Sequence, residues 1–71
     1  FSLLFSAQGQ TYSIIDGRAI KLFQEGEKLT ALRKYEEALV SYKSAITREA
    51  SFLEAYVKAS QVLMTIGNLE E

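Results

Sequence analysis

The sequence predicts an all-α fold built from antiparallel helix pairs, and three observations predict it. The 71 residues include no proline and only four glycines, and they are rich in Ala, Leu, Glu and Lys, a composition that favours helices. From residue 17 onward the apolar residues recur at intervals of three and four, which is one face of a helix. The pattern then returns after about 34 residues, a period typical of stacked helical hairpins.

Composition narrows the functions that the chain can have. A net charge of −1 gives no basic field that would attract nucleic acid, so we expect no nucleic-acid partner. The sequence has neither Cys nor His, which removes disulfides, thiolate metal sites and the usual general base near neutral pH. Adjacent Glu36 and Glu37 are better explained as residues at a helix start than as an acid–base pair. We therefore expect no enzymatic activity, no cofactor and no metal site.

Residues 1–16 form an N-terminal arm that departs from the helical pattern. Its first ten residues, FSLLFSAQGQ, are an apolar run followed by small and polar residues, as at the end of a signal peptide. The run is too short to span a bilayer. If it is a signal-peptide remnant, the setting is the periplasm or the outer membrane. Otherwise it is an apolar arm of a cytoplasmic protein.

Three helices are expected after the arm, the first from Gly17 to about Leu32 with Ser13 or Asp16 as its N-cap. The second runs from Tyr35 to about Glu49, and the third from about Phe52 to Ile66, where Gly67 and Asn68 end it. The inward residues of the first two helices are Ala19, Leu22, Phe23, Gly26 and Leu29, then Ala38, Leu39, Tyr42, Ala45 and Ile46. Those of the third are Leu53, Tyr56, Val57, Leu63 and Met64.

A shift of 34 residues aligns the first helix with the third. Leu22 falls on Tyr56, Gly26 on Ser60 and Leu29 on Leu63, and the turn RKYEE falls on GNLEE. Large residues fall on large ones and small residues on small ones. The chain therefore divides into a hairpin at 17–51 and the first helix and turn of a second repeat at 52–71. Because the chain starts at Phe1 and stops where the pattern predicts the opening of a helix, we expect it to be part of a longer protein.

From Ala19 to Glu71 the chain resembles the tetratricopeptide repeat family. The matching positions are Leu22, Gly26, Leu29, Tyr35, Ala38, Tyr42 and Ala45, then Tyr56, Ser60, Leu63, Gly67 and Leu69. Two positions, Arg33 and Ala50, depart from the pattern. Arg33 stands where the turn usually has Gly, which predicts a slightly different turn. Ala50 stands where Pro often closes the repeat, which predicts a less sharply terminated helix. The pattern does not extend into residues 1–18, so Ala19 marks its N-terminal edge.

The alanines have a packing role in this interpretation. Antiparallel helices approach closely only where one presents small side chains. Ala38 and Ala45 would admit Leu22 and Leu29, and Gly26 would let a bulky residue cross the first helix. Tyr42 would cap the seam with its hydroxyl toward water.

The resemblance implies a scaffold that binds a partner protein or peptide, or neighbouring repeats, along a concave groove lined by the first helices of successive repeats. The positions that it places there are Ile20, Phe23, Glu27, Thr30 and Ala31, then Glu54, Val57, Gln61, Met64 and Thr65. The main candidates are Ile20, Phe23, Glu27, Thr30, Val57, Gln61 and Met64. Phe23 and Glu27 stand where a carboxylate-binding member would have Lys and Asn. A peptide with apolar anchors and some Lys or Arg is therefore the expected partner.

Two alternatives remain open from the sequence. One is a three-helix domain of the microtubule-interacting-and-trafficking type, whose second helix can carry a similar motif. The other is an accessory domain of a larger enzyme or transporter. In the repeat interpretation the chain has few neighbours to stack against, so we expect the isolated chain to be partly folded or to self-associate.

Overall fold

The structure is a computed structural model, and it describes Tyr12 and residues 14–70. It contains three α-helices in this part of the chain: α1 (Gly17–Ala31), α2 (Tyr35–Arg48) and α3 (Leu53–Glu70). The predicted all-α fold with helical hairpins is confirmed. Most of the predicted N-terminal arm, including Ser13, lies outside the described residues.

Asp16 caps the N-terminus of α1. Its Oδ1 accepts hydrogen bonds from the backbone N–H groups of Arg18 at 2.9 Å and Ala19 at 3.1 Å, which satisfies two donors that have no partner inside the helix. The same oxygen accepts a hydrogen bond from Arg48 Nε at 3.1 Å. Since Arg48 is the last residue of α2, this ion pair joins the start of the hairpin to its end.

Arg33 has a left-handed backbone, with φ of 63°, in the turn between α1 and α2. The N–H of Arg33 donates to the Thr30 carbonyl at 2.9 Å, and the N–H of Lys34 donates to the Leu29 carbonyl at 2.8 Å. These two bonds form the Schellman motif that usually ends a helix with glycine. The expectation that an arginine here would change the turn is therefore wrong, because Arg33 adopts the left-handed conformation that glycine takes at such helix ends.

The seam between α1 and α2 is held by small residues and one ring. Ala38 and Ala45 are fully buried, and the Tyr42 ring lies directly on Gly26. A Cβ added at Gly26 would lie 2.5 Å from the nearest ring carbon of Tyr42. A bulky ring crosses α1 at Gly26, as expected, and Leu22 and Leu29 are partly buried against the core.

The Tyr42 hydroxyl was predicted to point toward water, and this prediction is wrong. Tyr42 is 1% exposed, and its hydroxyl oxygen lies 3.4 Å from Thr30 Oγ1. The ring lies across Gly26 rather than standing at the edge of the seam, and this keeps the hydroxyl close to α1.

Four aromatic rings pack together and connect α1, α2 and the residue before α3. Phe23 of α1 lies 5.5 Å from Tyr42 of α2 and 5.1 Å from Phe52, the residue before α3, measured between ring centroids. Tyr12 meets Phe23 at 5.6 Å and Phe52 at 6.0 Å, edge to face in both pairs. Aromatic pairs at these separations stabilise a core beyond the area that they bury.

The loop between α2 and α3 ends the hairpin sharply. Glu49 has an extended backbone directly after α2, and the Phe52 N–H donates to its carbonyl at 3.1 Å. The expected loose termination at Ala50 is not observed.

α3 packs on α2 through a different face from the predicted one. Its buried residues are Ala55, Ala59 and Val62, with Phe52 just before the helix. The five residues predicted to face inward are all exposed: Leu53, Tyr56, Val57, Leu63 and Met64. This prediction is wrong because α3 carries two apolar stripes, and the stripe with alanines allows the closer approach to α2.

The predicted end of α3 at Gly67 and Asn68 is also wrong, since the helix continues to Glu70. Glycine permits the left-handed turn that ends a helix but does not force it. None of the helices in the described part of the chain is both long and apolar enough to cross a bilayer.

Candidate protein-interaction surfaces

A cavity of about 220 Å³ lies between α1 and α3, with α2 behind it. We call it the groove, and its lining residues are Glu27 and Thr30 of α1, Tyr42 of α2, and Lys58, Gln61, Val62 and Thr65 of α3. The close backbone contacts of the molecule join α1 to α2 and α2 to α3. Because α1 and α3 are not in comparably close contact, space remains between them for a ligand.

The groove offers hydrogen-bond acceptors from two threonines. Thr30 Oγ1 donates to the Gly26 carbonyl at 2.8 Å, and Thr65 Oγ1 donates to the Gln61 carbonyl at 3.0 Å. Each hydroxyl hydrogen is therefore already used within its own helix, in the back-bonded geometry common for threonine. The hydroxyl oxygens keep lone pairs that can accept from a bound group.

The groove carries one charge of each sign and a neutral phenol. Glu27 lies on the α1 side and Lys58 on the α3 side. Burial raises the pKa of Tyr42 above its ordinary value of 10.0, and the nearby Glu27 carboxylate raises it further, while the Thr30 hydrogen bond opposes them. Tyr42 is therefore uncharged near neutral pH, with its hydroxyl at the base of the groove.

The structure brings together some of the predicted groove residues and separates others. Glu27, Thr30, Gln61 and Thr65 line the cavity. Ala31 and Glu54 do not line it. Nor do the other four: Ile20 packs at the edge of the core, Phe23 lies inside the core, and Val57 and Met64 are exposed on another side of α3.

Two groove residues on α3 were missed from sequence. Lys58 and Val62 both line the cavity. Lys58 lies three residues before Gln61 and seven before Thr65, so a single helical stripe connects them. That spacing would have identified Lys58.

A second surface lies on the side of α3 that no other described helix covers. We call it the outer face of α3, and it consists of Leu53, Tyr56, Val57, Ser60, Leu63 and Met64. Leu53 is 63% exposed, Leu63 52% and Met64 68%. Single exposed apolar residues are ordinary, but a contiguous stripe along one helix indicates an interaction site.

The described residues contain no cluster of acidic side chains that could hold a metal ion. No protein-family model, no curated protein and no solved structure matches the chain. What the chain does is therefore inferred from its own residues and their arrangement.

Proposed function

We propose that the chain is a protein-interaction scaffold of the tetratricopeptide type, whose groove holds an extended segment of a partner protein. One observation carries this proposal. Side chains from α1 and α3, two helices distant in sequence, line a single cavity with Tyr42 at its base.

The size of the groove favours an extended segment over a helix or a folded domain. A helix with its side chains is about 10 Å across, whereas 220 Å³ accommodates only a few side chains. An extended segment also presents backbone N–H and C=O groups that a helix has already paired. The Gln61 amide and the two threonine oxygens can bind such groups.

The charges of the groove indicate which partner would suit it. A Lys or Arg of the partner would meet Glu27, and a carbonyl or carboxylate would meet Lys58. Val62 also lines the groove and supplies an apolar contact. The preferred segment therefore combines a small apolar anchor with a basic residue beside it.

The arrangement of the helices supports the repeat interpretation better than a closed three-helix bundle. A closed bundle would pack α1 against α3 along their lengths. Here α1 and α3 instead border a cavity, as the first helices of successive repeats would.

The test is selection of peptides from a random displayed library with the full 71-residue chain, followed by titration calorimetry of the best binder. We expect Lys58→Ala and Gln61→Ala each to weaken binding roughly five- to tenfold, the loss of about one hydrogen bond to a charged or amide group. Backbone NMR shifts should change at Thr30, Gln61 and Thr65.

The matched control is Lys43→Ala, because Lys43 is an exposed lysine of α2 that does not line the groove. This variant should bind as tightly as the unmodified chain. If Lys43→Ala and Lys58→Ala weakened peptide binding equally, the peptide would be attracted by overall charge and not bound in the groove. That result would contradict the proposal.

A further inference from the structure

The outer face of α3 corresponds by repeat position to the face of α1 that α2 covers. A shift of 34 residues places Ala19 on Leu53, Phe23 on Val57 and Gly26 on Ser60. The three α1 residues are buried in the seam, and all three counterparts on α3 are exposed. The outer face therefore has the character of a helix-packing surface without its helix.

The converse correspondence holds on the opposite sides of the two helices. The buried residues Phe52, Ala55, Ala59 and Val62 fall on Arg18, Lys21, Glu25 and Lys28, which are all exposed. Thus α1 presents charged residues where α3 presents its contact to α2. Within the described residues, α1 therefore has a charged face on the side that corresponds to the α2 contact of α3, and α3 has an apolar face on the side that corresponds to the α2 contact of α1.

We propose that the outer face of α3 is the docking site for a partner helix with the pattern of α2. That pattern is two small residues seven positions apart, at Ala38 and Ala45, with a bulky residue between them at Tyr42. The inference rests on the repeat interpretation of the proposed function, but its surface is separate from the groove, so loss of peptide binding in the groove would leave it standing.

The area of the outer face favours a single helix over a second copy of the chain. Stable protein pairs bury about 800 Å² on each partner, whereas one stripe of a helix exposes an apolar area on the order of several hundred Å². A second copy that used this stripe alone would bind weakly. A single helix can cover such a stripe, as α2 covers the inward residues of α1.

Ser60 sets the preferred size of the central residue on the docking helix. On α1 the Tyr42 ring fits only because Gly26 has no Cβ, which would lie 2.5 Å from a ring carbon. Ser60 has a Cβ and an Oγ at the corresponding position. The docking helix should therefore carry a residue smaller than tyrosine, such as leucine, opposite Ser60.

Gly67 corresponds to Arg33, the left-handed residue of the turn between α1 and α2. It lies inside α3 here, with nothing within 4 Å of an added Cβ. When a connected helix docks, Gly67 should leave the helix and take the left-handed turn. Gly67→Ala should therefore stabilise the chain when no helix is docked and destabilise it when a connected helix is docked.

The test extends the full chain with a copy of residues 38–50, joined directly after Glu71. The repeat register makes this junction natural, because Leu69, Glu70 and Glu71 align with Tyr35, Glu36 and Glu37. We expect the extended chain to melt on the order of 10 °C higher than the 71-residue chain. Replacing the copied tyrosine with leucine should raise Tm further, and Ser60→Gly should remove that preference.

The control extension carries lysine in place of both copied alanines, which leaves its length unchanged but blocks the seam. It should give no increase in Tm. Gly67→Ala should raise Tm in the unextended chain and in the control, and lower it in the extended chain.

Two results would overturn the inference. One is the same Tm for the extended chain and its control, with Gly67→Ala raising both. The other is a tight dimer of the unextended chain that Leu63→Glu dissociates, which would assign the outer face to a second copy.

Discussion

At the scale of single residues, the hairpin depends on a glycine that faces a tyrosine. Gly26 leaves the space that the Tyr42 ring fills, and that ring in turn contacts Phe23. Rings are rigid, so they cannot accommodate an added atom as a flexible side chain would. The close approach of α1 and α2 follows from this one missing Cβ.

We expect Gly26→Ala to destabilise the chain by about 1–2 kcal/mol, because the overpacking penalty exceeds the gain in helix propensity. In a Tyr42→Leu background the same substitution should become neutral or stabilising. Urea unfolding of the four variants in a double-mutant cycle measures the coupling. Additive effects would show that Gly26 and Tyr42 do not share this contact.

Arg33 destabilises the fold through its backbone conformation, whereas a side chain at position 26 would do so through packing. A left-handed conformation costs a side-chain-bearing residue roughly 1–2 kcal/mol relative to glycine. Arg33→Gly should therefore raise the free energy of unfolding by about 1 kcal/mol, less the extra entropy that glycine brings to the unfolded chain. The control Arg33→Ala removes the same charge and should give no such gain.

At the scale of the elements, the two ends of the hairpin meet at Asp16. The Ala19 N–H and then the Arg48 side chain are the main causes that hold the pKa of the Asp16 carboxyl below its ordinary value of 3.8. A carboxyl with a lowered folded pKa stabilises the fold fully above the unfolded pKa, and the contribution is lost as pH falls through the folded pKa. The cap is therefore sensitive to acid.

Asp16→Asn should isolate this titration, since asparagine caps a helix as well as aspartate but carries no charge. Between neutral pH and about pH 2, the unmodified chain should lose more stability than the variant. Urea unfolding monitored by circular dichroism across that range measures the difference. Parallel pH profiles would mean that the Asp16 charge contributes nothing.

The sequence predicted α1 and α2 better than α3, for a physical reason. On α1 and α2 the apolar residues form one stripe, and charged residues such as Lys21, Glu37 and Lys43 lie on the opposite side of the helix. The inward face is therefore unambiguous. α3 is apolar on two sides, and periodicity alone does not say which side meets α2. The buried side is the one that carries the alanines at 55 and 59.

The same difficulty limited prediction of the groove. Glu27 and Gln61 occupy the same repeat position, 34 residues apart, and both line the cavity. Val57 and Met64 were misplaced because the rotation of α3 about its axis is set by tertiary packing, which the residue pattern does not specify.

At the scale of the whole molecule, the three helices form a one-sided stack. Exposed apolar residues on the outer face of α3 lack the burial that a small domain needs for stability. We expect the 71-residue chain to associate weakly as its concentration rises, without forming a tight dimer, and sedimentation equilibrium measures this. Leu63→Glu should reduce the association.

Val40→Glu is the matched control, because Val40 is 64% exposed on α2, away from the outer face. It should leave the association unchanged. A dilute monomer that melts cooperatively, with no dependence on concentration, would contradict the expected association.

The cluster of four aromatic rings has an optical consequence. The chain has four tyrosines and no tryptophan, so no indole masks the weaker phenol emission. Tyr42 is sealed against Phe23, and Tyr12 lies against Phe23 and Phe52. Native tyrosine fluorescence and the alkaline appearance of tyrosinate therefore serve as label-free reporters of whether the helices are assembled.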